Sequence, residues 1–328
     1  MSTLNTIADF AALVPRITGS ISVLSSSMII FLIYRSQAKL STIYHRIMFG
    51  MSFADIMSST AMALTTIPMP RNDAQYWIEQ YGGDVKWEGY TKIGNWYSCQ
   101  AQGFFYSTGV SVMFAYNASL CAYYACAIAL RMQEKLIRKK VAPFLLGLPP
   151  VLGLAASIPA VVNRWYNVIS NEVWCTLYPV RKDMNYKSLT QMFQFALLAS
   201  ITFLFVIIIV SFALVIWRVR QNGKLLAQAS NRDHIQVEER VTAAHQNTKL
   251  VIAQSLAYIG GFLLSLLFPF LRNFMYVLNN QIWKSETKAL FVTVVLGKMM
   301  LVFMPLQGFF NFIIFLWHKG REKLDTIL

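Results

Sequence analysis

Long apolar stretches, separated by short polar segments, recur along the whole chain. Seven are long enough, at roughly 20 helical residues each, to cross a hydrocarbon core about 30 Å thick. Prolines lie inside several of them, where neighbouring membrane helices can satisfy the backbone groups that a proline frees. The pattern predicts an all-α integral membrane bundle with seven spans, at residues 17–34, 47–69, 101–130, 141–162, 192–217, 250–271 and 289–317.

The two ends of the chain carry no pattern that predicts a second domain. Met1 to Phe10 has no basic segment followed by a short apolar run and a small-residue cleavage site, so we expect the first span to direct insertion. Residues 318–328 predict a short amphipathic helix along the inner membrane surface. We therefore expect a single domain over residues 1–328.

Composition agrees with the membrane prediction. Hydrophobic residues make up 56% of the chain and charged residues only 13%, against about 25% charged residues in a soluble domain. There are too few charges to cover the surface of a soluble enzyme. The net charge of +14 does not indicate a nucleic-acid partner, because basic and aromatic residues do not alternate on a polar surface.

The distribution of charge predicts the orientation of the bundle. With the N-terminus outside, 17 of the 29 lysines and arginines fall in four inner segments, together with 6 acids. An excess of basic residues marks the cytoplasmic side of a membrane protein. We therefore expect an outer N-terminus, a cytoplasmic C-terminus and an inner face of about +11, which suits anionic membrane lipids.

The four cysteines give a second indication of the orientation of the bundle. Cys99 opens the third span and Cys175 lies between the fourth and fifth, so both share a side with the N-terminus. Only an oxidising exterior would bridge them, and the alternative is two unpaired loop thiols. Cys121 and Cys126 lie inside the third span, where a free cysteine behaves as a small hydrophobic side chain.

Seven spans, this orientation and the cysteine pair together resemble a G-protein-coupled receptor. Span two carries Met51-Ser52-Phe53-Ala54-Asp55, similar to the Leu-x-x-x-Asp signature of rhodopsin-like receptors. Span seven ends on a stretch similar to Asn-Pro-x-x-Tyr, with Phe312 and Phe315 for Pro and Tyr; its Gln-Gly-Phe-Phe-Asn form is closer to cyclic-AMP-receptor-like and secretin-like receptors. Pro269 lies where span six of the family has its kink proline.

Several family positions are occupied by other residues. The Asp-Arg-Tyr position reads Tyr123-Tyr124-Ala125, so the usual ionic lock is missing. Span one has serines where the family has asparagine, span four lacks its tryptophan, and Leu267 replaces the tryptophan of span six. The resemblance therefore indicates a divergent receptor.

The resemblance implies a polar switch in the middle of the membrane. Asp55 and Asn311 lie at similar depths, about 12 and 9 Å above the inner face, and the matching family pair helps to hold sodium and rearranges on activation. Met113 replaces the serine that the family supplies, and Asn117 is the substitute partner. Pro269 and Pro305 complete the expected switch. The alternatives are a structural hydrogen bond or a protonated carboxyl group.

The outer loops are rich in aromatic residues around Cys99 and Cys175, which predicts a lid over the bundle opening or an interfacial aromatic belt. The residues that we expect to contact an extracellular ligand are Gln102, Trp174, Arg272 and Lys298. Lys298 also suggests a retinal attachment site. It lies about 28 Å above Trp317, too far out, and Gln102 supplies no counterion, so no cofactor is expected.

The inner loops and the inner end of span three predict the face that meets a heterotrimeric G protein. Its expected members are Tyr124, Arg131, Lys135, Arg138 and Lys249. The sequence therefore predicts a plasma-membrane receptor that passes an unidentified ligand's signal to a G protein, with dimerisation left open. A transporter or channel is the alternative class, although no internal repeat is present. No nucleophile and base pair or metal-ligand cluster indicates an enzyme.

Overall fold

The computed structural model describes residues 2–70, 93–168, 173–177, 199–218, 220–221, 253, 256–258, 260–265, 267–271 and 286–327. Helices dominate these ranges. They are α1 (Ser2–Arg35), α2 (Ile43–Ala63), α3 (Trp96–Tyr124), α4 (Ala142–Val162), α5 (Ala199–Arg218), α6 (Leu256–Ser265, with residues 267–271 also helical), α7 (Glu286–Phe303) and α8 (Gln307–Ile327).

Four helical stretches in the described part of the chain are long and apolar enough to cross a membrane, at Ala12–Arg35, Trp96–Ala129, Glu134–Val162 and Ala199–Arg218. A fifth span is formed if the bent pair α7 and α8 is counted as one. The helix α2 and the shorter apolar α6 lie at the two remaining predicted positions. Each predicted span is therefore represented by a helix.

Contacts between the helices place α2 and α3 at the centre of the described bundle. The helix α2 packs against α1 and α3, α3 packs against α4, and α1 also contacts α7 and α8. Close approach of α3 to its neighbours depends on small residues. A Cβ atom on Gly109 would lie 2.7 Å from the carbonyl oxygen of Ala54, and a Cβ on Gly153 would overlap the side chain of Val112.

The second span ends earlier than its apolar pattern suggests. The helix α2 stops at Ala63, and residues 64–69 form successive turns instead of the predicted helix to 69. Thr65 has a positive φ of 45°, which a helix cannot accommodate. The chain then returns to α3, where the Asn95 side chain accepts a hydrogen bond from the Ser98 N–H and forms the N-cap.

The last predicted span is broken into two helices near Pro305. The helix α7 ends at Phe303 and α8 begins at Gln307, with a bend of 48° between the two. Pro305 lies in the break, because proline lacks the N–H that would continue the helix. The helix α8 then runs to Ile327, so the predicted tail helix at 318–328 is continuous with the inner part of the last span.

A short hairpin covers the end of the bundle that carries Cys99, which we call the outer end. Strands β1 (Tyr166–Asn167) and β2 (Thr176–Leu177) pair antiparallel. Cys175, next to β2, forms a disulfide with Cys99 at the start of α3. The predicted bridge is therefore confirmed, and the second outer loop is held on the top of α3.

Candidate functional site

A buried carboxylate lies at the centre of the membrane part of the fold. Asp55, on α2, is 1% exposed. Two serines of α1 donate hydrogen bonds to its Oδ2, Ser22 at 3.0 Å and Ser26 at 2.7 Å. Ser59, one turn along α2, donates to Oδ1 at 3.3 Å. These hydroxyls stabilise the carboxyl group in its buried position.

The start of α8 closes this cluster from the other side. The backbone N–H of Gly308 donates to the Ser22 hydroxyl oxygen at 2.8 Å. A Cβ atom on Gly308 would overlap Asp55 Oδ2 and the hydroxyl oxygens of Ser22 and Ser26. Glycine is therefore required at this position by the close approach of α8. We call Asp55, Ser22, Ser26, Ser59 and Gly308 the polar centre.

Asn311 lies one turn below Gly308 and is buried. Its Oδ1 accepts a hydrogen bond from Gln307 Nε2 at 3.3 Å. Two polar atoms of this pair, Asn311 Nδ2 and Gln307 Oε1, are buried and have no hydrogen-bond partner in the described part of the chain. The structure thus places Asn311 beside the polar centre, and Gly308, not Asn311, makes the hydrogen bond that links α8 to it.

The remaining residues predicted for the switch are more dispersed. Asn117 is buried, and its Nδ2 donates to the carbonyl of Met113 in its own helix at 3.0 Å. Pro305 is buried in the break between α7 and α8, whereas Pro269 is half-buried in helical residues 267–271. Participation of Asn117 and Pro269 in a switch stays a prediction.

Gln102 joins three elements at the outer end of α3. Its Nε2 donates to the carbonyl oxygens of Ala61 at 2.9 Å and Thr65 at 2.7 Å. Its Oε1 accepts a hydrogen bond from the Cys175 N–H at 3.0 Å. The side chain is 3% exposed. Gln102 therefore positions the second outer loop over α2 and α3, and a direct contact with a ligand stays a prediction.

Trp174 lies beneath that loop and is completely buried. Its ring lies 5.6 Å from the ring of Tyr106 on α3. It packs into an apolar cluster that includes residues of α2, α3, α6 and α7. The members of this outer cluster are Met62, Val173, Trp174, Met300 and Met304, with Tyr106, Val110, Phe268 and Leu301 packed against them.

The structure describes one of the two basic residues predicted to contact ligand. Lys298 lies on α7, is half-buried and precedes Met300 of the outer cluster by two residues. Arg272 lies outside the described residues. The ligand role of both stays a prediction.

A pair of tyrosines joins two helices at the inner end of the bundle. The phenol oxygens of Tyr44, on α2, and Tyr258, on α6, lie 3.0 Å apart and form a hydrogen bond. Tyr124, at the inner end of α3, belongs to the same core cluster, and its hydroxyl has no hydrogen-bond partner in the described ranges. The inner ends of α2 and α6 are therefore in contact where the ionic lock is missing.

The residues predicted for the G-protein face lie around this inner end. Arg131, Lys135 and Arg138 are exposed in the segment between α3 and α4, and Lys249 lies outside the described residues. Arg138 also donates to the carbonyl oxygen of Ser41, in the neighbouring inner loop, at 3.0 Å. Contact of these residues with a G protein is not tested by the fold.

Sequence reasoning missed several members of the polar centre. The serines of span one differ from the asparagine of the family, but Ser22 and Ser26 are spaced four apart and so share one helix face. That spacing was the available signal. Nothing in the sequence indicated Gly308, because its role depends on how closely α8 approaches α1 and α2. In the described ranges no three His, Cys, Asp or Glu side chains could hold a metal ion.

Neither a protein-family model nor a curated protein matches the sequence. Among solved structures, the chain is similar to the crystal structure of squid rhodopsin, with a TM-score of 0.66 and 15% sequence identity. The match covers 94% of this chain and 77% of the squid chain. The protein therefore has the seven-helix fold seen in squid rhodopsin, and this fold together with its long apolar helices indicates a multi-pass membrane protein.

Proposed function

We propose that this protein is a G-protein-coupled receptor of the plasma membrane that transmits binding of an outer ligand to a heterotrimeric G protein. The observation that carries the proposal is the polar centre. It joins α1, α2 and α8 through one buried carboxylate, directly below the break at Pro305. A rearrangement at the break would move Gly308 and so change the hydrogen bonds of Asp55.

The inner end supports the same proposal. A receptor can bind a G protein only if its helices part at the inner end, and a ligand acts by shifting the balance between closed and open arrangements. The hydrogen bond between Tyr44 and Tyr258 holds α2 and α6 together in the closed arrangement. Opening must break it.

The proposal predicts that removing this hydrogen bond raises basal signalling. Replacing Tyr44 with Phe keeps the ring and removes the hydroxyl. A hydrogen bond of this kind contributes about 1 kcal/mol, so we expect about a fivefold rise in basal nucleotide exchange by reconstituted G proteins. Tyr258→Phe should give a similar rise, and the double variant no further increase, because the two residues share one bond.

The matched control is Tyr34→Phe. Tyr34 lies at the inner end of α1, is exposed, and undergoes the same chemical change. Exchange should be normalised to the amount of folded protein in each membrane preparation. If a panel covering every class of G protein shows no exchange with the wild type or the variants, the receptor proposal fails.

We also propose that sodium binds at Asp55. The residues present fit this ion, because sodium takes hard oxygen ligands and the polar centre offers the carboxylate and the hydroxyls of Ser22 and Ser26. Gln307 adds a buried carbonyl oxygen, next to Gly308, that has no hydrogen-bond partner in the described ranges. A bound cation would neutralise the buried charge and favour the arrangement in which α1, α2 and α8 are drawn together.

Sodium should therefore stabilise the purified protein. At a tenfold excess over its dissociation constant, we expect about 1.4 kcal/mol, measured as a rise in melting temperature relative to choline chloride of equal concentration. Asp55→Asn should abolish the rise, whereas Glu134→Gln, at an exposed acid between α3 and α4 and far from the polar centre along the chain, should retain it. An equal sodium effect in Asp55→Asn would contradict the site.

An ion-flux assay distinguishes a receptor from a transporter or channel. The exchange assay and a flux assay can be run on the same purified protein in liposomes. A transporter or channel would carry ions across sealed liposomes without a G protein, and we expect no flux above that of protein-free liposomes.

A further inference from the structure

The largest side chain buried in the outer cluster belongs to a loop. Trp174 is 0% exposed, although it lies between two short strands outside the helices. It packs in one cluster with Met62 of α2, Tyr106 of α3, Met300 of α7, and Met304 in the break after α7. The indole therefore occupies the centre of the outer end, where several helices of the bundle converge.

The loop is fixed so that this indole stays in place. The neighbouring residue, Cys175, is bonded to Cys99, and its N–H donates to Gln102. On the other strand, the carbonyl of Tyr166 accepts a hydrogen bond from Gln100 on α3. A Cβ on Gly103 would overlap the ring of Tyr166. Contacts on both strands hold the hairpin directly against α3.

The hydrophobic side chains of the outer cluster pack with the indole. Three of them are methionines, and methionine adapts its shape to different aromatic partners. The indole Nε1–H is buried and has no hydrogen-bond partner within the described residues. The site thus fits the shape of an aromatic ring system. It offers the indole N–H no hydrogen bond from the described residues, and burying that donor unpaired costs free energy.

We propose that the outer cluster is a ligand site filled by the protein's own Trp174, and that its ligand is an uncharged aromatic molecule that takes the place of the indole. The proposal rests on the receptor function proposed above and names the class of ligand. Since no acceptor for Nε1 is found among the described residues, a ring system without a donor should be preferred over indole itself.

The proposal is tested by removing the indole and supplying ring systems from solution. Trp174→Gly should bind radiolabelled 3-methylindole saturably in lipid nanodiscs. The same variant should bind 3-methylbenzothiophene, which has a similar shape but no N–H, about tenfold more tightly, because no donor is left unpaired. The variant should also gain thermal stability when either compound is present.

The wild type tests whether a ligand can displace the indole. If the indole side chain swings out of the site about 1% of the time while the loop stays bonded to α3, 3-methylbenzothiophene should bind saturably but about a hundredfold more weakly than to Trp174→Gly. Trp174→Phe leaves a smaller ring in the site and should fall between the two. It also serves as the test should the glycine variant fail to fold.

Trp165→Gly is the matched control. It removes an indole from the same loop, at a half-buried position outside the outer cluster, and should bind like the wild type. The proposal is overturned if Trp174→Gly and Trp174→Phe bind no more of either compound than Trp165→Gly, or if the wild type shows no saturable binding. These binding measurements need no G protein, so their result does not depend on whether the nucleotide-exchange assay succeeds.

Discussion

Replacing Gly308 with Ala should destabilise the folded protein by about 3 kcal/mol, the upper part of the range for overpacking a buried site. The added methyl group would overlap Asp55 Oδ2 and the hydroxyl oxygens of Ser22 and Ser26. None of these atoms can retreat without losing hydrogen bonds to the buried carboxylate. We expect the melting temperature in detergent to fall by about 10 °C.

Two further variants separate the overlap from a general effect of alanine. Gly147→Ala, in α4, places its methyl group where no heavy atom lies within 4 Å, so it should be neutral or slightly stabilising. Asp55→Ala combined with Gly308→Ala should cost less than the sum of the single changes, because the shorter side chain makes room. Additive costs would show that Gly308 does not act through Asp55.

Breaking the disulfide should have the second large effect. Cys99 and Cys175 are 76 positions apart, and closing a flexible loop of that length would contribute roughly 4.5 kcal/mol. Much of this loop stays in membrane helices when the protein unfolds, so its freedom is smaller. We therefore expect Cys175→Ser to lower stability by about 3 kcal/mol and to loosen Trp174 in the outer cluster, measured by melting temperature and by acrylamide quenching of tryptophan fluorescence.

The free cysteines provide the control for this prediction. Cys126→Ser makes the same atomic change at a half-buried, unbridged position in the inner part of the bundle. It should change stability by less than about 1 kcal/mol. A reducing agent should reproduce the effect of Cys175→Ser in the wild type and leave that variant unchanged. Equal losses in Cys126→Ser and Cys175→Ser would indicate that the bridge contributes little.

Features that depend on local sequence were predictable. Apolar runs reveal membrane helices because a helix must present apolar side chains along the full thickness of the bilayer. Asp55 was singled out because a charge within such a run is costly. Cys99 and Cys175 were identifiable because they lie on one side of the membrane. The first two inferences need only the neighbours of a residue along the chain, and the third needs only the order of the spans.

Other features depend on how the helices approach one another. The sequence predicted a pair between Asp55 and Asn311, but α8 is linked to the polar centre through the backbone of Gly308. Equal depth does not decide which face of a helix meets its neighbour. The length of span two was overestimated because apolar residues continue past Ala63 into turns, where composition does not distinguish a helix from a buried loop.

Hydropathy and charge along the chain were enough to predict a bundle of seven membrane helices, the side on which the basic residues concentrate, and one acid within an apolar run. The folded bundle added the hydrogen-bond partners of that acid, the contacts through which Gln102 positions the outer loop, and the burial of Trp174 in the outer cluster. Hydropathy is a property of single segments, whereas a hydrogen bond between helices depends on their separation and rotation, which packing of the whole bundle sets.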